Sequence, residues 1–193
     1  IPTYMPPEPE EMPVYSEYRQ HQGSTGNAYP NRPTLNAERE VLTDRDYTVI
    51  RLENKYVRLL ILPEIGGRIF EAYDKVNDYN FLFRHHRIKP VIVGIYGSWI
   101  TGGMEFNFPI HHRPSTFLPV DYTTEVREDG AVIVWMSEAA PTQGQYRLKG
   151  TYGICLREDA AFFETIVKID NRTPVKHPFM WWENAAIHVN KDY

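Results

Sequence analysis

The stretch GGMEFNFPIHHRPSTF, Gly102 to Phe117, gathers a carboxylate, an asparagine, two adjacent histidines and an arginine among three phenylalanines and two prolines. Glu105 stands between apolar neighbours, and a carboxylate in such a setting loses hydration. That raises its pKa and suits it to general-acid chemistry. The plainer reading is a structural carboxylate that pairs with Arg68 or Arg113 inside a crowded turn. Glu183, in MWWENA, is a second charge in an otherwise apolar strand, which is costly to bury without a partner or a purpose. Two such carboxylates facing each other across a cleft would form the acid/base pair of glycoside cleavage. Trp99 and one of Trp181 and Trp182 could wall such a cleft by stacking on a sugar ring. Neighbours in a strand point to opposite faces, so both tryptophans cannot do so. Arg68 and Arg113 offer forked donors for hydroxyl or carboxylate groups, and Asn107 offers an amide.

Other chemistries fare worse. His85-His86 and His111-His112 are adjacent pairs, so on a strand each pair can give only one side chain to a common site. The spacings typical of zinc ligands are missing, and neither a metal nor a cofactor is expected. There is no GxSxG, and Cys155 lies in the strand-like GTYGICLRE without a nearby base. Gly66-Gly67 and Gly102-Gly103 precede strand-like segments, whereas a phosphate cradle needs a helix N-terminus.

Stepping outward to the elements that must hold these residues, the chain has 193 residues, enough for one full core or part of a larger one. A net charge of −4 and scattered basic residues argue against a nucleic-acid binder. No apolar run reaches the roughly 20 residues that span a bilayer, so no membrane partner is expected. The proline-rich, acidic start IPTYMPPEPEEMPVY is not a signal peptide. The chain starts without Met, so truncation or processing upstream is expected. The single cysteine forms no internal disulfide and is compatible with a reducing, cytoplasmic setting. Aromatics are abundant, with 13 Tyr, 9 Phe and 4 Trp, and strand and core packing accounts for most of them.

Residues 1–35 carry repeated prolines that forbid a long helix and are expected to form an extended arm, ordered where its tyrosines lie on the body. Residues 36–193 read as short strands. YTVIRLEN and KYVRLLILPE form a hairpin across Glu53-Asn54-Lys55. RIFEAYDK follows the Gly66-Gly67 break, and Asn77-Asp78 marks a turn before YNFLFRHH. PVDYTTEVRE meets AVIVWMSEA across Asp129-Gly130, a strong hairpin dipeptide. YRLKGTYGICLRE meets AFFETIVKIDN across Glu158-Asp159. HPFMWWENAAIHV reads as one more strand, ending at a turn over Asn190-Lys191-Asp192. No window shows a helical period. The fold is expected to be all-β, a sandwich or barrel of short strands with tight turns.

ILPEIGGRIFEAYDKVNDYNFLF resembles the opening of the aldose 1-epimerase, or galactose mutarotase-like, superfamily, in which a strand ending in Pro-Glu-x-Gly-Gly-Arg-Ile starts a large antiparallel supersandwich. GSWITGGMEFNFPIHHRPSTFLPVDY and PFMWWENAAIHVN are more similar to an uncharacterised bacterial branch, a domain of unknown function often found ahead of tetratricopeptide repeats. The resemblance runs from Ile1 to Tyr193. It implies an antiparallel supersandwich, incomplete in this chain, with a sugar-facing cleft on one sheet. It further implies the remainder of the same β-domain and tetratricopeptide repeats as C-terminal partners. Departures bear on the chemistry. Mutarotases place a histidine before the Gly-Gly pair, where Thr101 stands here. Their catalytic histidine strand overlays Trp182, Glu183 and Asn184. Their catalytic base comes from a C-terminal part. Anomer interconversion therefore fits poorly.

Three functions compete. The first is a carbohydrate-active enzyme of the glycoside hydrolase kind, with Glu105, Glu183 and His112 catalytic and Arg68, Trp99, Asn107, His111, Arg113 and Trp182 binding the sugar. The second is a non-catalytic carbohydrate-binding module using the same aromatics. The third is a structural domain of a repeat-containing protein, which predicts that Glu105 is locked in a salt bridge.

Overall fold

The computed structural model describes residues 1–5, 41–93, 97–109, 116, 118–138 and 148–189, with 91–93, 97, 98 and 138 in backbone only. Among them the chain is all-β, with a short 3-10 turn at Pro63–Ile65. The expected turn over 190–192, most of the arm, and His111, His112 and Arg113 lie outside the described residues. No helix among the described residues is long and apolar enough to cross a membrane.

The arm begins as a strand. β1 (Pro2–Tyr4) pairs antiparallel with β2 (Leu42–Asp44), and Lys89 sits over the Tyr4 ring. The main sheet has six strands. Five run in the order β14 (Trp182–Ala185), β9 (Met104–Asn107), β5 (Arg68–Asp74), β4 (Val57–Leu62) and β3 (Ile50–Glu53), and β6 (Tyr79–Asn80) also pairs with β5. A second sheet is a four-strand meander of β10 (Val120–Val126), β11 (Val132–Glu138), β12 (Leu148–Leu156) and β13 (Phe163–Asn171). A hairpin of β7 (Val91–Val93) and β8 (Gly97–Trp99) stands apart.

The two larger sheets form a sandwich. Leu59, Ile61, Ile69 and Phe106 from one and Val134, Met136, Tyr152 and Ile154 from the other belong to a single buried cluster. Alternating apolar residues supply one inward face per strand, as period-two patterning requires. Phe106 packs on Tyr152 with ring centroids 4.6 Å apart, and Trp181 closes over both. Cys155 is buried, as a small core residue would be, and burial pushes its thiol pKa up.

Turn chemistry joins the layers. At the β3–β4 turn, Asn54 Oδ1 accepts the backbone N–H groups of Tyr56 and Val57. Its Nδ2 donates to the carbonyls of Arg157 and Ala160, at 2.6 and 2.7 Å, beside the β12–β13 turn. One side chain thus satisfies backbone groups of both sheets. The expected hairpins at 53–55, 129–130 and 158–159 are all present. The last strand is shorter than the apolar pattern suggests. β14 holds four residues, and Phe179, Met180, Ile187 and Val189 around it are exposed.

Candidate functional site

The site is built by two glycine pairs and two strand registers. Gly66 and Gly67 follow the 3-10 turn, both with positive φ, and aim the chain into β5. Arg68 is the first residue of that strand. Gly102 and Gly103, with φ of 90° and 69°, turn the chain into β9. A Cβ on Gly103 would collide with the carbonyl oxygen of Ile69, so the close approach of β9 to β5 depends on its absence.

Residues opposite one another in an antiparallel pair share a face. Ile69 stands opposite Met104, and both face the core. Arg68 and Glu105, one step along each strand, therefore face the other way. On the far side of β9, Asn184 stands opposite Glu105 and Trp182 opposite Asn107. The outer face thus collects Arg68, Glu105, Asn107, Trp182 and Asn184.

These groups form a buried network. Arg68 is 1 % exposed and Glu105 3 %. Arg68 Nη2 donates to Glu105 Oε2 at 3.3 Å, and its Nη1 donates to the carbonyls of Ile100 and Gly102. Thr116 Oγ1 donates to Glu105 Oε2 at 3.0 Å. Asn107 Nδ2 donates to Glu105 Oε1 at 2.9 Å, and Asn184 Nδ2 reaches the same oxygen at 3.5 Å. Every donor that reaches Glu105 favours its ionised form, and a buried charge of this kind persists only with such partners. Of the two arginines considered for Glu105, Arg68 is the one it pairs with among the described residues.

Glu183 is not part of this site. It stands opposite Phe106 and is exposed, one residue and one face away from the Glu105 alignment, with Trp181 Nε1 donating to it at 3.3 Å. The expected acid/base pairing of Glu105 with Glu183 is corrected by register. Adjacent strand positions project to opposite faces, so the two carboxylates do not line one cleft. Trp181 packs on the core and Trp182 lies on the Asn107 face, as alternation demands. Trp99 ends β8, half-buried, directly before the Ile100 carbonyl held by Arg68. His85 is half-exposed and His86 exposed, at the rim of a groove beside β1. No three His, Cys, Asp or Glu side chains come together to hold a metal among the described residues.

Thr116 and Asn184 are the members of the network that residue-type reasoning missed. Thr116 gave no signal, because it lies eleven positions from Glu105 in sequence. Asn184 was legible in part, since whatever face Glu183 takes, Asn184 takes the other.

Residues 27–193 match the family described as a domain of unknown function, DUF5107, and the chain belongs to that family. A similar solved structure is that of a TPR-domain containing protein from Parabacteroides distasonis, with a TM-score of 0.67 and 26% sequence identity. The match covers 78% of this chain and 25% of that one, so the chain spans about a quarter of the length of its structural neighbour.

Proposed function

We propose that the chain is the carbohydrate-recognising β-domain of a tetratricopeptide-repeat-containing protein, built as part of a galactose mutarotase-like supersandwich. The observation that supports it is the outer sheet face, where Arg68, Glu105, Asn107 and Asn184 form a fixed hydrogen-bonding row flanked by Trp182. Small-ligand sites combine a few precisely placed polar groups with aromatic surface in this manner. The separation of Glu105 from Glu183 weighs against a glycosidic acid/base pair, so recognition is preferred to cleavage. The tetratricopeptide repeats are carried over from the neighbour in Parabacteroides distasonis.

A structural role is the second reading, and one observation favours it. Glu105 is sealed against Arg68, as a domain that merely supports other repeats would require.

A glycan array probed with the full-length protein separates these readings. Saturable binding that survives Glu105→Gln but falls in Trp182→Ala is the expected result. Absence of binding to every glycan would leave the structural role. Hydrolysis of a glycoside panel by the wild type, abolished in Glu105→Gln, would restore the catalytic reading.

A further inference from the structure

The six-stranded sheet carries a second ionic cluster that the sugar reading does not use. Glu71 is buried and holds two guanidinium groups, Arg58 through Oε1 and Arg84 through Oε2, each at 2.8 Å. One carboxylate against two arginines leaves a positive excess, and the carboxylate fixes where that excess lies. Arg84 rests over the Phe70 ring, 5.9 Å from its centroid. Its side chain is 42% exposed and spends only Nη1 on Glu71. Its Nε and Nη2 donate to nothing among the described residues.

Beside Arg84 lies a groove of about 300 Å³, floored by Val49, Leu60 and Phe70 above the buried Leu62, and rimmed by Arg84, His85 and His86, with β1 as one wall. Every polar side chain among its described lining residues belongs to the 84–86 segment. The groove is therefore polarised, with one cationic end and an apolar floor. A sugar laid on that floor would leave its hydroxyls without side-chain partners among the described residues, at the cost of desolvation. An acid with a small apolar body would not. Its carboxylate meets a guanidinium fork already held in place, so little conformational freedom is lost on binding. The volume sits at the small end of ligand sites.

We infer that this groove binds a small amphipathic monocarboxylate, its carboxylate on Arg84 and its apolar body on Val49, Leu60 and the exposed edge of Phe70. The site is independent of carbohydrate recognition.

Calorimetric titration of the full-length protein with 3-phenylpropanoate and hexanoate, and with their neutral amides, tests the assignment. Both acids are expected to bind saturably, with each amide weaker by about tenfold or more, the scale of one lost charge-assisted contact. Arg84→Gln should weaken the acids about tenfold and leave the amides unchanged. Arg84 is at the surface, so its folding is checked by an unchanged melting curve. Trp182→Ala, which probes sugar recognition, should leave the acid titration as in the wild type, so the two sites can fail separately. The assignment is overturned if neither acid binds at millimolar concentration, if acid and amide bind alike, if Arg84→Gln retains wild-type affinity for the acids, or if Trp182→Ala abolishes acid binding.

Discussion

Glu105 and Glu71 are both buried carboxylates on the same sheet, and each is ion-paired with arginine, yet water reaches them differently. Around Glu105 the arginine is as buried as the acid, and carbonyls, a threonine and two asparagines complete the shell. Around Glu71 the acid is buried but its two arginines have side chains 32% and 42% exposed. The first cluster is sealed and specifies where loops meet the sheet. The second presents anchored cations to the outside. The same pair of residue types is thus closed to water in one place and open to it in the other, and the arginine's exposure makes the difference.

The sharpest way to break that contrast is Arg68→Ala. It strands a buried carboxylate, and removal of one member of a buried pair costs about 3–5 kcal/mol. Chemical denaturation should show a loss of that size, and a loss under 1 kcal/mol would mean that the cluster is not sealed. Next comes Gly103→Ala, which imposes a left-handed backbone on a residue with a Cβ and a clash with Ile69 on the entry to β9. The backbone conformation alone costs about 1–3 kcal/mol, and the melting temperature should fall accordingly.

Glu71→Gln should cost much less, about 1 kcal/mol or below, because half-exposed guanidinium groups can turn to water. Equal losses in Glu71→Gln and Arg68→Ala would erase the distinction. The smallest effect concerns acid. The backbone N–H of Thr48, with Arg45 beside it, holds Glu64 below the ordinary glutamate value of 4.5. A depressed folded-state pKa contributes stability above that unfolded value and loses it as pH falls through the lower folded one. Melting temperatures followed downward from pH 6 should therefore fall less steeply below pH 4.5 in Glu64→Gln than in the wild type.

Much of the fold was legible from local chemistry. Asp129-Gly130 announces its hairpin because few residues tolerate the backbone of so tight a turn, and Gly130 has φ of 80°. The alternation in RIFEAYDK and GTYGICLRE placed β5 and β12. What local patterns could not give was register. Glu183 looked expensive because its neighbours are apolar, but β14 ends the sheet among the described residues and the side chain is exposed. Arg68 was ambiguous as a partner for Glu105 until β5 and β9 were set side by side. The pairing of β1, at the start of the proline-rich arm, with β2, beyond its end, was likewise invisible, since it joins residues about forty positions apart in sequence.

Asn54 carries a consequence for how the chain reaches this state. Its Oδ1 bonds are local and can form as soon as the β3–β4 turn does. Its Nδ2 bonds reach residues 103 and 106 positions further along the chain. Contacts across such separations form late, because the loop entropy they close must be lost before they return anything. A single side chain therefore reports on two stages of folding. Asn54→Asp, which keeps the Oδ1 acceptor but removes both Nδ2 donors, should speed unfolding while leaving the refolding rate nearly unchanged.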